Sequence, residues 1–156
     1  MAKFQEQTNV YMRIAREIAN LSNCVSFKVG AVIVREGRII STGFNGTPSG
    51  YKNCRQVFPV YNKETDRDKH HDFSNMYEIH AEANALVFAA KFGVSTEGAT
   101  MFVTTQPCMQ CSKLIANSGI KAVYYLEPYD RVGIPVEEQR DFFKKCKITF
   151  MQAALK

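Results

Sequence analysis

Apolar residues at Val10, Ile14, Ile18 and Leu21 recur at the spacing of one helix face, which predicts an amphipathic helix over about residues 7–22. The period then shortens. Residues 29–45, "VGAVIVREGRIISTGFN", hold two β-branched runs on either side of Arg35-Glu36-Gly37 and read as a β-hairpin. From Gly46 to Ile79 the chain is polar, carries Pro48, Gly50 and Pro59, and reads as one long loop. A loop of that size in a compact domain is functional or anchored by something. Beyond it the order becomes regular: a helix from about His80 to Phe92 closed by Gly93, a strand "TMFVTT", a helix from Cys108 to Ser118 closed by Gly119, a strand "AVYYLE", a helix "PVEEQRDFFKKC" and a strand "KITFM". Strands alternating with helices imply a sheet covered on both faces and joined by right-handed crossovers. The expectation is one α/β domain over residues 1–156, a three-layer α/β/α sandwich with a mixed sheet of about five strands.

Composition narrows the class. With 46% hydrophobic and 22% charged residues the chain is an ordinary globular one, and no apolar run is long enough to span a bilayer. The start, "MAKFQEQTNV", lacks a basic segment followed by an apolar one, so a cytoplasmic location without membrane attachment is expected. Five cysteines, an odd number in such a chain, suggest metal binding or burial rather than a disulfide framework. The net charge of +5 favours an anionic partner, but the cations are scattered, so a phosphate-bearing small molecule explains them as well as nucleic acid does.

Candidate chemistry gathers at two helix starts. Cys108 and Cys111, in "PCMQC", stand one helical turn apart with both sulfurs on one side, where the helix N-terminus and a cation both favour thiolates. Taken alone, the pair is equally a redox couple or two buried thiols, and a lone His80 is more often structural than ligating. Together they offer three ligands and leave a fourth tetrahedral position for water, the arrangement of a catalytic zinc site. Glu82, two residues past His80, is then placed to collect the proton of that water as a base and to return it as an acid.

His80-Ala81-Glu82 followed by Pro107-Cys108-Met109-Gln110-Cys111 resembles the zinc-dependent nucleobase deaminase signature, H-x-E with P-C-x-x-C. "CVSFKVGAVIVREGRIISTGFNGTPSG", "EIHAEANAL", "EGATMFVTTQPCMQCSKLIANSGIKAVYY" and Tyr129-Asp130 extend the resemblance to the deoxycytidylate deaminases, particularly the phage type. That family resemblance implies hydrolysis of dCMP to dUMP and ammonia, which supplies dUMP for thymidylate synthesis. Catalysis would use a zinc held by His80, Cys108 and Cys111, with Glu82 moving protons. It implies that backbone groups of Ala81 and Pro107 hold the base edge, that Asn45 meets the sugar and that Tyr129 closes the site near the phosphate. For Asn45 the competing reading is a turn residue beside Gly46, and for Tyr129 a half-buried aromatic.

The resemblance implies regulation too: an oligomer, commonly a hexamer, activated by dCTP with Mg2+ and inhibited by dTTP. Lys28, Asn45, Gly46 and Thr47 would then serve the effector, with Lys91 a weaker candidate. It also implies a second, structural zinc on Cys24, Cys54, His70 and Glu78, for which His71 is the alternative imidazole. Such a site would anchor the long loop. If phage-encoded, the enzyme would work in the host cytoplasm. Two rival functions remain at this point, a deaminase of tRNA or single-stranded DNA and a non-catalytic zinc interaction module. The first should carry a basic channel with exposed aromatics, and the second has no use for Glu82.

Overall fold

A computed structural model of the chain describes residues 2–129 and 133–155, with side chains from Gln5 onward. Helix α1 (Ala2–Ala19) leads into the hairpin β1 (Gly30–Arg35) and β2 (Arg38–Phe44), then α2 (Cys54–Val57), α3 (Lys63–Tyr77) and α4 (Ala81–Lys91). The remainder alternates as β3 (Thr100–Thr105), α5 (Met109–Ala116), β4 (Ala122–Glu127), α6 (Val136–Lys145) and β5 (Thr149–Gln152). The hairpin turns on Glu36 and Gly37, both at positive φ (52° and 73°), the backbone a tight two-residue hairpin requires.

The strands form one sheet in the order β2-β1-β3-β4-β5. The pairs β1–β2 and β1–β3 are antiparallel, whereas β3–β4 and β4–β5 are parallel. The sheet is therefore mixed, and alternation along each strand fills two cores. Val32, Val34, Phe102 and Leu126 face Met12 and Ala15 of α1. Ala31, Ile33, Met101, Val103, Val123 and Tyr125 face the opposite way, against Ala81 and Ala85 of α4, Ile115 of α5 and Phe143 of α6. This is the three-layer α/β/α sandwich expected of the sequence. Among the described residues no helix is long and apolar enough to cross a membrane.

Two expectations need correction. The segment between Gly46 and Ile79 is not one loop, because it contains α2 and the fifteen-residue α3. The sequence KETDRDKHHDFSNMY buries only His70, so α3 has no apolar stripe to announce it. It starts instead on a polar signal, the Asn62 side chain capping the Glu64 amide, with Glu64 and Asp66 in the first turn. The buried face of α1 is also displaced from the predicted stripe: Val10 and Leu21 are 49% and 58% exposed, while Thr8, Met12, Ala15 and Ala19 are buried. Small residues let the helix come close to the sheet, and a Cβ on Gly30 would meet the Ala15 carbonyl oxygen at 2.0 Å. Gly43 does the same for α4, where a Cβ would lie 2.2 Å from the Ala81 carbonyl oxygen.

Candidate active site

Four consecutive residues, Ile79 to Glu82, deliver the entrance of α4 to the edge of the sheet. Ile79 pairs with Gly46 in both directions, its amide donating at 2.8 Å and its carbonyl accepting at 3.1 Å. His80 follows as the extended N-cap, and Ala81 and Glu82 occupy the first turn. The helix is fastened to β2 by Ser41 Oγ donating to the Ala85 carbonyl (2.6 Å) and Asn84 Nδ2 donating to the Phe44 carbonyl (2.7 Å). At the end of β3, Cys108 is the N-cap of α5, its sulfur accepting from the Cys111 amide at 3.5 Å. The two helix starts converge, with His80 Nδ1 at 3.4 Å from Cys108 Sγ and 3.5 Å from Cys111 Sγ. One imidazole nitrogen and two sulfurs, all within 4.8 Å of one another, are the donor set of a three-ligand zinc site with an open fourth position.

The electrostatics suit a cation. The Cys111 thiol donates to Cys108, and this bond, helped by His80, holds Cys108 down at about 4 and pushes Cys111 up, so the two share one proton. The same Cys108 hydrogen bond raises His80. Glu82 is 4% exposed, and burial pushes its carboxyl up to about 7.

His80, Glu82 and Cys108 open onto a cavity of about 100 Å³ that is also lined by Asn45, Ala81 and Tyr129. Phe27, Val29, Ser74, Thr105 and Gln106, which sequence reasoning passed over, complete its wall. Phe27, Ser74 and Tyr129 are shared with a wider outer cleft of about 590 Å³, which Lys63, Arg67 and His71 also border. Phe27 and Tyr129 stack at 6.3 Å and 24° on the boundary between the two. Asn45 is buried, and its side chain clamps the backbone before β1, accepting from Val29 N at 2.8 Å and donating to Phe27 O at 2.9 Å. The Pro107 carbonyl faces away into the core, where Gln139 donates to it at 2.7 Å. Asp130, the partner of Tyr129 in the sequence motif, lies outside the described residues.

A second group forms beneath α3. Cys24, Cys54 and His70 are buried with their ligand atoms within 4.8 Å of one another, and Cys24 Sγ stands 3.4 Å from His70 Nε2. The neighbouring His71 is exposed and contacts Asn75 instead. Glu78, the C-cap of α3, stands outside that tight trio; burial raises both thiols and lowers His70, and the Glu78 carboxylate adds to the first effect and opposes the second. Its Oε2 accepts from Ser74 Oγ at 2.7 Å, and its Oε1 is buried with no partner. That oxygen is a buried acceptor whose hydrogen-bonding capacity is not used. Lys28, Gly46, Thr47 and Lys91 line neither cavity. Lys91 sits at the far end of α4, about 16 Å along the helix from His80, its ammonium 5.8 Å from the Phe92 ring centroid.

The family described as "Cytidine and deoxycytidylate deaminase zinc-binding region" matches residues 5–127. The chain belongs to the cytidine and deoxycytidylate deaminases. Within this family it is similar to the deoxycytidylate deaminases of Enterobacteria phages T2 and T4, at 40% and 41% identity. Each alignment covers 80% of this chain, and 82% and 80% of the T2 and T4 proteins respectively. Among solved structures, the dCMP deaminase of cyanophage S-TIM5 in complex with dCMP and dUMP matches with a TM-score of 0.75 and 34% identity, over 94% of this chain and 96% of that one. The chain thus has the cytidine deaminase-like fold and is an enzyme of the hydrolase class. Its family is a zinc-binding one, and the donor set of the first cluster fits that metal.

Proposed function

We propose that this deaminase hydrolyses dCMP to dUMP and ammonia at the cavity lined by His80, Glu82 and Cys108, with Cys111 completing the ligand cluster. The observation that supports this reading best is the pairing of a three-ligand cluster with a buried, non-ligating carboxyl, inside a cavity opening onto a cleft that bears Lys63 and Arg67. His80, Cys108 and Cys111 would hold zinc, which when bound supplies a Lewis acid that acidifies a water. Glu82, its carboxyl raised to about 7, is poised to accept that water's proton and pass it to ring N3 as oxygen adds at C4, then to take the proton of the new C4 hydroxyl and give it to the amine as its bond to C4 breaks, which leaves the C4 carbonyl and N3–H of dUMP. Ala81, at the cavity floor, offers backbone to the base edge. Asn45 borders the sugar while it holds the 27–29 backbone, and Tyr129 closes the site over it. Lys63 and Arg67 border the outer cleft and would meet the 5′-phosphate.

The same reading places a structural zinc on Cys24, Cys54, His70 and Glu78, supported by the unpartnered Glu78 oxygen. Family resemblance adds an oligomer, with a hexamer favoured, activated by dCTP with Mg2+ and inhibited by dTTP through Lys28, Asn45, Gly46, Thr47 and Lys91. Val87, Phe88, Phe92 and Leu114, all more than half exposed on or beside α4 and α5, support association with further copies. The test is to incubate purified protein with dCMP, dCTP, cytidine and a cytosine-containing oligonucleotide and to follow the ultraviolet change on deamination. Turnover of dCMP with little of cytidine or the oligonucleotide is expected. Preferred turnover of the oligonucleotide would transfer the assignment to a polynucleotide deaminase, and no turnover of any would leave a zinc interaction module. Repeating the dCMP curve with dCTP–Mg2+ and with dTTP tests the regulation, which hyperbolic, unmoved curves would refute.

A further inference from the structure

Gln139 is an amide at 0% exposure on α6, a helix that otherwise turns Phe143 toward the core. A buried amide is costly unless its hydrogen-bonding groups are met, and here they are met by groups of the active-site loops. Nε2 donates to the Pro107 carbonyl at 2.7 Å and to Ser112 Oγ at 2.9 Å, which uses both its hydrogens. Oε1 accepts from Gln106 Nε2 at 2.6 Å. Gln106 Oε1 in turn accepts from the Tyr129 amide at 3.2 Å.

The polarity of this chain of bonds is fixed at both ends. The Pro107 carbonyl can only accept and the Tyr129 N–H can only donate, so neither glutamine can flip without breaking two bonds. Ser112, which is 0% exposed, donates from its hydroxyl to the carbonyl of Cys108 at 3.0 Å. The two hydrogens of Gln139 therefore hold the carbonyl before Cys108 and the hydroxyl attached to the carbonyl of Cys108 itself. Its oxygen holds Gln106, a wall residue of the catalytic cavity, and through it the backbone of Tyr129.

We propose that Gln139 is a positioning residue that sets the separation between the Cys108 turn and the Tyr129 wall, and so governs metal retention and nucleotide affinity while touching neither. The inference rests on reading this cavity as the deaminase centre. Outer supports of this kind change metal affinity by about 10–100-fold when removed.

The test uses the full-length zinc-loaded protein with Gln139→Leu and Gln139→Glu. The second keeps the shape but replaces the NH2 that faces Pro107 and Ser112 with an acceptor oxygen. Both variants should raise the KM for dCMP about tenfold with a smaller fall in kcat, and should release the catalytic zinc to a colorimetric chelator at about tenfold lower chelator concentration. Gln139→Glu should be no better than Gln139→Leu. A loss of folded fraction alone, with KM and chelator midpoint unchanged in the folded protein, would reduce Gln139 to core filling and overturn the proposal. Should neither variant fold, Ser112→Ala removes two bonds of the network, the one it accepts from Gln139 and the one it donates to Cys108, and should move KM and midpoint in the same direction, so unchanged values there would equally overturn it. If wild-type protein does not deaminate dCMP, the functional assignment fails separately, and the chelator midpoints still decide the role of Gln139.

Discussion

Gly43→Ala tests whether the catalytic groups depend on how closely α4 lies on the sheet. A Cβ there would stand 2.2 Å from the Ala81 carbonyl oxygen, 2.4 Å from the Ala85 amide nitrogen and 3.0 Å from the Ala85 Cα. All three are backbone atoms, so no side chain can swing aside, and reaching ordinary contact at 3.4 Å requires the first turn of α4 to retreat by more than an ångström. The Ser41 and Asn84 hydrogen bonds resist that movement. Overpacking of this kind costs about 1–3 kcal/mol of stability. Because Ala81 stands between His80 and Glu82, the retreat also shifts both groups relative to the cysteines of α5, and a misplacement of about 1 Å costs on the order of 100-fold in rate, or about 2.7 kcal/mol of barrier.

Gly30→Ala is the matched control, since its Cβ would meet the Ala15 carbonyl oxygen at 2.0 Å and the Ala19 amide nitrogen at 2.6 Å. It pushes out α1, which lies on the opposite face of the sheet. Urea denaturation should show a similar loss in both variants, while ammonia release from dCMP at saturating substrate should fall about 100-fold only in Gly43→Ala. Wild-type kcat in Gly43→Ala, or equal losses of kcat in the two variants, would refute the reasoning.

Glu82→Gln should keep fold and zinc content but lose roughly 100- to 10,000-fold in turnover, because the amide cannot accept the proton; normal kcat in a zinc-replete sample would remove Glu82 from the mechanism. Cys54→Ser should cut bound metal from two zinc ions per chain to one and lower the melting temperature, checked by metal analysis and calorimetry; an unchanged zinc content would return Cys24 and Cys54 to the role of buried thiols. Zinc uptake by the metal-free second cluster should tighten as pH rises from 6 to 8 and release protons into weak buffer. Burial raises the Cys24 thiol and holds Cys54 up at about 12, so both thiols are neutral there and must lose their protons to ligate. Affinity independent of pH would contradict that.

What the sequence reveals and hides follows from which signals are local. Strands such as Thr100–Thr105 and Ala122–Glu127 emerge at their predicted bounds because a short, nearly continuous buried run between turn residues is a local signal, decided within six residues. The His80–Cys108–Cys111 cluster was legible because each half is a short motif at a helix start. By contrast, α3 hides because it is solvated on nearly every side and is held by its Asn62 cap and the burial of His70. The stripe read on α1 fails for a related reason: periodicity favours bulky residues, whereas the closest approach belongs to Ala15, Ala19 and Gly30. Phe27, Ser74, Thr105 and Gln106 come from four separate segments, and no spacing in the chain records that they meet. Gln139 is the extreme case, a polar residue on a charged helix whose burial only the tertiary fold decides.

The short link between α3 and α4 joins these parts physically. Glu78 and His80 are both in extended conformation, with ψ of 133° and 154°, so their side chains leave the backbone on the same side of a nearly straight segment. Ile79 between them is clamped in both directions to Gly46. Glu78 faces the Cys24, Cys54 and His70 trio, and His80 faces Cys108 and Cys111. A segment this short has almost no slack, so a displacement of Glu78 is transmitted to His80 unless the Gly46 pairing breaks. That pairing consists of only two backbone hydrogen bonds, each contributing about 1 kcal/mol. Under the proposed metal assignment, a cation at the second cluster would satisfy the orphaned Glu78 oxygen and fix the near end of the link, so that the catalytic histidine is held by anchorage on both sides. The polar stretch between Gly46 and Ile79 then serves catalysis through its ends: its first residue pins the link, its last enters the N-cap, and the helix between them brings His70 to the cysteines and Lys63 and Arg67 to the mouth of the cavity.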